Sequence, residues 1–278
     1  MSFSVNPDER VAPALKRVIR EEARHAVTHL TGSEDRHEAI HEARKSVKKI
    51  RALLRLLEPQ LGNVSRNANR RLRDLGRTMS MLRDSAAMVE TFDQLAGEYP
   101  GEMGLNRFAG VRERLVAAAE GAMTSADEQA LATAAVAEFR KLARHVNLWR
   151  LSGEGFAVVA DNFNASYEAG RKALRRAGKH PSTENVHELR KRAKDHWYHV
   201  RLMGPLWPGA SEAYEKAIKE LQETLGDANN ASVFLRNLQK SDDGLLREIA
   251  IRWRDKLRSQ GLAAASKIYA AKSSPVAA

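Results

Sequence analysis

The stretch HEARKSVKKIRALLRLLEP, residues 41–59, decides the fold, because the chain contains a second copy of it. Residues 187–205 read HELRKRAKDHWYHVRLMGP, and eight of the nineteen positions are identical in the two copies. A segment that recurs in register indicates one supersecondary unit used twice. The identical positions are His41/His187, Glu42/Glu188, Arg44/Arg190, Lys45/Lys191, Lys48/Lys194, Arg55/Arg201, Leu56/Leu202 and Pro59/Pro205.

A weaker echo follows each copy. Residues 81–95, MLRDSAAMVETFDQL, align with residues 224–238, TLGDANNASVFLRNL. The order of the two matches along the chain predicts two related helical halves, residues 1–145 and 146–272. The last residues, SSPVAA (273–278), are expected to form a loose tail.

Apolar residues recur at helical intervals nearly throughout the chain. Leu75, Met79 and Leu82, for example, follow the three- and four-residue spacing that places side chains on one helix face. Strand-like alternation is nearly absent, and Gly and Pro fall between the helical stretches, as in EYPGEMG (98–104). We therefore predict an all-α protein built from helical bundles.

The composition is that of a globular protein without disulfides. The chain has 278 residues, 43% of them hydrophobic, which is enough for a sizeable core, and it contains no cysteine. The N-terminal MSFSVNPDERV lacks the apolar core of a signal peptide, and no run approaches the length of a membrane span. These features favour a cytoplasmic protein with no membrane partner.

The charge balance favours anionic partners. The 46 Lys and Arg residues outnumber the 35 Asp and Glu residues, which gives a formal net charge of +11 at pH 7. Such an excess attracts nucleic acid, anionic lipid or free polyphosphate when it is gathered on one surface. Charges spread over all faces would only keep the protein soluble, so their positions decide between the two interpretations.

The repeated segments gather their cations on one helix face. At 100° per residue, the basic residues of each copy lie opposite an apolar face, and no Asp or Glu lies among them. Like charges at this spacing repel, so such a face favours binding of an anion over simple exposure to solvent. The two faces carry His41, Arg44, Lys45, Lys48, Arg51 and Arg55, and His187, Arg190, Lys191, Lys194, Tyr198 and Arg201.

A further basic stripe follows the first copy, with arginines at helical spacing on one face. In the register of the repeat Lys219 lies over Arg73, whereas Glu223 lies over Arg77, so the two halves differ in charge. Arg73, Arg77 and Lys219 are therefore additional candidate contacts for an anion. The whole stripe consists of Arg66, Arg70, Arg73 and Arg77.

The segment HEAIH, residues 37–41, matches the H-E-x-x-H pattern of zinc metalloproteases, in which both His bind zinc and the Glu acts as a base. Here the repeat keeps His41 but has Thr183 in place of His37. Lys45 also shares the face of His41, where it would repel a dication. We therefore predict no metal site, and we retain a zinc hydrolase only as an alternative.

His41 and His187 differ from the other histidines because they share a face with the cations. Each follows a polar segment that indicates a helix start, where the helix dipole favours anions. An imidazole there can donate to a phosphate oxygen. His196 and His199, by contrast, are expected to pack or form hydrogen bonds near the core.

The sequence resembles the CHAD family, the conserved histidine α-helical domain. The resemblance covers nearly the whole chain and rests on the two H-x-x-R-[KR]-x-x-K segments, on LRD (82–84) and LGD (225–227), and on Y-x-x-G-R (167–171). It implies two pseudo-symmetric helical bundles around a basic central cavity that binds inorganic polyphosphate. The residues that it implies line this cavity are His41, Arg44, Lys45, Lys48, Arg55, His187, Arg190, Lys191, Lys194 and Arg201, with Arg73 and Arg171 behind them.

The chain departs from the family pattern in two ways. Asp195 and Trp197 stand where the first copy has Lys49 and Arg51, so the rim of the second half is expected to bind less strongly. No E-x-E-x-K pattern is present. That absence argues against the triphosphate-tunnel domain often fused to this family, and against its phosphohydrolase activity.

The functional prediction is non-enzymatic binding of inorganic polyphosphate without a cofactor, with sulfate or phosphate as smaller anions for the same cavity. The resemblance also implies localisation at polyphosphate granules. Nucleic-acid binding is the alternative, because phosphate contacts alone do not distinguish the two polymers. Single-strand recognition would use aromatic platforms among the cations, and on the basic faces only Tyr198 qualifies. An enzyme is disfavoured, because no paired carboxylates or nucleophile–base set accompany these faces.

Overall fold

Helices account for the regular structure of the described residues. The structure, a computed structural model, describes residues 3–33, 35–104, 107–121, 125–207, 209–240 and 242–272, without the side chains at 37, 81–84, 125, 126 and 210. Within these ranges no strand occurs, so the prediction of an all-α protein is confirmed. The tail predicted at 273–278 lies outside the described residues.

The helices follow one another with short connections. In the first half they are α1 (Val11–Gly32), α2 (Arg36–Leu56), α3 (Glu58–Leu61), α4 (Asn63–Glu98), α5 (Pro100–Met103), α6 (Ala109–Glu120) and α7 (Ser125–His145). In the second half they are α8 (Ala160–Lys179), α9 (Thr183–Met203), α10 (Ala210–Asn237) and α11 (Gly244–Ile268). Short 3₁₀ turns occupy Val146–Leu148, Gly155–Val158 and Gly204–Leu206.

The same order of packing recurs in the two halves. Helix α2 packs between α1 and α4, and α9 packs between α8 and α10. The halves also meet directly, because α2 contacts α9 and α4 contacts α10. The two copies of the repeated segment are therefore the central helices of their halves, and they lie against each other.

The apolar faces predicted from the sequence form the core. Leu53, Leu54 and Leu57 of α2 have no exposed surface, and neither have Val200 and Met203 of α9. Their cluster is continuous across both halves. Burial of each such side chain contributes about 1.5–3 kcal/mol, so the shared core fixes how the two central helices face each other.

Two buried histidines join the helices around α9. His196 Nδ1 lies 2.8 Å from Ser166 Oγ of α8, and His199 Nε2 lies 3.0 Å from the Ala52 carbonyl oxygen of α2. Burial lowers the pKa of His196 to about 3 and that of His199 to about 4, so both rings are neutral near pH 7. The prediction that these histidines lie near the core is confirmed.

None of the described helices combines the length and the apolar composition needed to cross a lipid bilayer.

Candidate functional site

Side-chain caps fix the starts of the two central helices. The Asp35 carboxylate accepts a hydrogen bond from the Glu38 amide at 3.0 Å, and Ser182 Oγ accepts one from the Asn185 amide at 3.2 Å. His41 and His187 consequently lie in the second turn of their helices. The helix dipole acts mainly within the first turn, so it contributes less at these histidines than the sequence suggested.

Four arginines come together where α2 meets α4, namely Arg51 and Arg55 of α2 with Arg73 and Arg77 of α4. We call them the α2–α4 cluster. Burial, together with the neighbouring charges of Arg55, Arg73 and Arg77, lowers the pKa of Arg51 to about 10, and the Asp195 carboxylate opposes this shift. Arg51 Nε donates to Asn69 Oδ1 at 2.9 Å, which holds the guanidinium against α4. The predicted stripe on α4 therefore extends the basic face of α2.

The outer members of this cluster share one exposed acid. Arg73 Nε donates to Asp74 Oδ1 at 2.9 Å, and Arg77 Nη1 lies 3.9 Å from the same oxygen. The Arg73 hydrogen bond lowers the pKa of the Asp74 carboxyl. One exposed carboxylate stabilises such arginines only weakly, so the cluster keeps a strong positive field.

A second group joins the halves and consists of Arg44 from α2 with Arg190 and Lys194 from α9; we call it the α2–α9 cluster. Burial, followed by the charges of Arg190 and Arg44, lowers the pKa of Lys194 to about 8. Lys194 Nζ lies 5.9 Å from the centre of the Tyr198 ring, which offers a cation–π contact. Cations predicted separately on the two copies thus act on one another in the folded chain.

Arg190 is held against α10 by a close helix contact. A β-carbon at Gly226 would lie 3.2 Å from Arg190 Nε, so the glycine makes room for the guanidinium. Burial lowers the pKa of Arg190, and the nearby Asp227 carboxylate opposes that shift. Burial in turn raises the pKa of Asp227. The LGD segment of the sequence therefore supports the basic face of α9 from behind.

His187 lies beside Asn229 of α10. Its Nδ1 donates to Asn229 Oδ1 at 2.9 Å, so Nε2 of the neutral ring is an acceptor and can donate to a phosphate oxygen only when the ring is protonated. Burial, followed by the charge of Arg190, lowers the pKa of His187. An anion bound there would raise the pKa of His187 and favour protonation of the ring, because its negative charge stabilises the imidazolium.

The exposed lysines of the two copies form the same local ion pair. Lys45 pairs with Glu42 on α2, and Lys191 pairs with Glu188 at 2.9 Å on α9. Lys219 lies 3.8 Å from Glu223 on α10. Exposed pairs of this kind contribute little to stability, so these lysines can exchange a carboxylate for a ligand phosphate at small cost.

Tyr198 lies beneath the basic face of α9. Only 5% of it is exposed, and the Phe3 ring packs against it edge-on with the ring centres 5.8 Å apart. The Val5 amide donates to the Leu202 carbonyl at 2.8 Å, which holds this N-terminal segment on α9. The sequence predicted Tyr198 as a ligand contact on the basic face of α9 but gave no sign of the segment that covers it.

The remaining predicted residues are distributed more widely. His41 and Lys48 are half-buried on α2. The Arg201 guanidinium lies 5.7 Å from the centre of the Trp197 ring. Arg171 donates to Glu168 Oε1 at 2.8 Å and to the Lys272 carbonyl at 3.1 Å. These hydrogen bonds join α8 to the end of the described chain.

One of the two histidines of the HEAIH segment, His37, has its side chain outside the described residues. Elsewhere in those residues, no group of three or more His, Cys, Asp and Glu side chains is placed to hold a metal ion.

Comparison with known proteins gives the family. A sequence model of the CHAD domain matches residues 17–239, and the chain therefore belongs to the CHAD domain family. Its fold is similar to the crystal structure of the CHAD domain from the plant Ricinus communis, with a TM-score of 0.66 and 18% sequence identity. The similarity covers 98% of this chain and 95% of the plant chain. A search of curated proteins gives no match.

Proposed function

We propose that this chain binds inorganic polyphosphate through the basic faces of α2, α4 and α9, without catalysing a reaction. The observation that carries the proposal is the grouping of cations from both repeated helices. Burial lowers the pKa values of Lys194 and Arg51 most, and the charges of Arg190 and Arg44 lower that of Lys194 further, as those of Arg55 and Arg73 do for Arg51. Holding these charges together costs free energy in the free protein, and a bound polyanion would recover it.

The proposed mechanism is charge complementarity along a linear ligand. Arginine offers forked donors to phosphate oxygens, and lysine offers a mobile point charge. Each contact contributes about 1.5–3 kcal/mol before the costs of desolvation and ordering are subtracted. Because many contacts share the binding, loss of any one side chain should weaken the complex without abolishing it.

The aromatic residues favour polyphosphate over a single-stranded nucleic acid. Stacking of bases needs exposed rings among the cations. Tyr198 is covered by Phe3, and Trp197 is 8% exposed with Arg201 above it. A chain of phosphates needs no such platform, so the described basic faces suit a polyanion without bases.

A binding role also fits the placement of potentially reactive groups. Ser166 Oγ lies 2.8 Å from His196 Nδ1, and the His196 ring has no exposed surface. Deep burial of the base keeps a substrate from reaching this pair. We propose that the protein acts in the cytoplasm, at polyphosphate granules, as the resemblance to its family implies.

The test is a calorimetric titration of the full chain with long-chain polyphosphate at 50 mM and 200 mM salt. We expect tight binding at low salt and at least a tenfold weaker complex at high salt, because neutralised phosphates release counterions. The mixture is then assayed for shortened chains and released phosphate, and none is expected. Absence of binding at 50 mM salt would refute the proposal, and turnover would refute its non-enzymatic part.

A further inference from the structure

Asp195 stands between the two basic clusters. Its carboxylate accepts a hydrogen bond from Arg55 Nη2 across the contact between α9 and α2. Its charge also acts on Arg51 of the α2–α4 cluster and on Lys194 of the α2–α9 cluster, where it opposes the lowering of their pKa values. One acid is thus coupled to cations of both clusters.

The repeat shows that this acid is a difference between the halves. The first copy has Lys49 at the corresponding position. Lys49 Nζ donates to Glu22 Oε1 of α1 at 2.7 Å, and Ser46 Oγ donates to the other Glu22 oxygen at 2.9 Å. The first half therefore directs a cation toward α1 at this position, whereas the second half directs a carboxylate toward Arg55.

The Arg55–Asp195 pair is shielded enough to compete with a ligand. The two side chains are 25% and 20% exposed. Desolvated charges interact more strongly than fully exposed ones, so this pair resists salt better than the exposed pairs of Lys45 or Lys191. A phosphate that binds Arg55 must displace a carboxylate that is already in place.

We propose that Asp195 is a specificity-determining residue that acts as a built-in competitor for the polyanion at Arg55. This inference rests on the proposed function. A linear polyanion that runs from the α2–α4 cluster to the α2–α9 cluster passes Asp195 and takes Arg55 from it. Asp195 thus limits affinity for any anion and favours ligands with enough successive charges to engage both clusters.

The test compares Asp195→Asn with Asp93→Asn in the full chain. Asp93 is a matched control, because it pairs with Arg112 at 2.7 Å on α4 and α6 and its substitution changes the net charge equally. We expect Asp195→Asn to bind long-chain polyphosphate about fivefold more tightly than the control. The slope of log K for polyphosphate binding against log salt concentration should become more negative by about 0.7, because Arg55 then neutralises a phosphate with its full charge.

Two further measurements separate competition from a structural role. The gain should disappear when Asp195→Asn is combined with Arg55→Gln and compared with Arg55→Gln alone, as a coupled pair requires. The ligand-free Asp195→Asn protein should also melt at the same or a lower temperature than the unchanged protein. A gain in affinity without a gain in stability is not expected of a purely structural residue.

Three results would overturn the inference: binding equal to that of the control, weaker binding, or a gain that persists without Arg55. Failure of the proposed function looks different, because the unchanged protein and the Asp93→Asn control would then also fail to bind polyphosphate at low salt.

Discussion

The basic face of α2 and the basic face of α9 come from the same repeated sequence but have different neighbours. Beside α2, the adjacent helix α4 contributes Arg73 and Arg77, whose charges act on Arg51. Beside α9, the adjacent helix α10 contributes Asp227 and Glu223, whose charges act on Arg190 and Lys194. The first face is reinforced by cations, whereas the second is partly neutralised by acids.

A repeated helix therefore need not give a repeated binding site. The charge of a binding face depends on the helix packed beside it, and between α4 and α10 that charge changes from Arg77 to Glu223 in the repeat register. Both faces then meet at Asp195, which belongs to the weaker one. We therefore expect the first half to supply most of the affinity for a polyanion.

The largest expected effect comes from removing three cations of the α2–α4 cluster. The combined variant Arg51→Gln, Arg73→Gln and Arg77→Gln should weaken polyphosphate binding about 100-fold, since each contact contributes about 1 kcal/mol net. Calorimetry at fixed salt measures it. The matched control replaces Arg112, Arg114 and Arg252 by Gln, which removes equal charge from arginines paired elsewhere with Asp93, Asp242 and Glu102. Equal losses in the two variants would show that only net charge matters.

A smaller loss is expected on the second face. The double variant Arg190→Gln and Lys194→Gln should weaken binding about tenfold in the same titration, because Asp227 and Glu223 already offset part of these charges. The control combines Arg112→Gln with Arg252→Gln, which removes equal charge from arginines paired elsewhere with Asp93 and Glu102 and should change affinity less than threefold. A double-variant loss greater than that of the α2–α4 triple variant would reverse the ranking of the two faces.

The pH dependence of polyphosphate binding should show whether Lys194 of the α9 face contacts the ligand. Because the pKa of Lys194 is lowered to about 8, this side chain loses its charge as pH rises through that value, and binding should weaken severalfold between pH 7 and pH 9. Lys194→Arg keeps the charge and should flatten the profile. Without ligand the sign is opposite: stability should rise above about pH 8, where the unfolded chain still binds the proton. A profile unchanged by Lys194→Arg would contradict this assignment.

The smallest effect is expected from Gly226→Ala. The added β-carbon would lie 3.2 Å from Arg190 Nε, so the guanidinium must shift, and binding should weaken about twofold to threefold. Stability should change by less than about 1 kcal/mol, because alanine favours the helix and offsets the crowding. Gly97→Ala on α4 serves as the control, since nothing lies within 4 Å of its added β-carbon. Equal binding by the two variants would show that the space at Gly226 does not affect the affinity for polyphosphate.

Local periodicity was sufficient to predict the helices and the direction of their faces. The repeat placed His41 with Arg44 and His187 with Arg190, and the structure places each set on one central helix. Such predictions succeed because the geometry of a helix depends on residues three and four positions apart. The asymmetry between Arg77 and Glu223 was visible for the same reason.

Partners from distant parts of the chain could not be predicted in this way. The sequence marked Asp195 as a departure, but its bond to Arg55 depends on how α2 packs against α9. Phe3 covers Tyr198 only because the N-terminal segment runs along α9. Arg171 donates to the Lys272 carbonyl only because the chain after α11 returns to α8. A helix wheel gives the direction of a side chain but not the element that meets it.

The most direct test of the central claim is a competition titration. The full chain is titrated with long-chain polyphosphate in the presence of single-stranded DNA of matched charge, at low and at high salt. A site built from packed cations without exposed aromatic rings should bind polyphosphate tightly, lose affinity with salt, and release little of it to DNA. Equal displacement by DNA would contradict the account and would mean that α2, α4 and α9 form a general basic surface, with nucleic acid as the better candidate ligand.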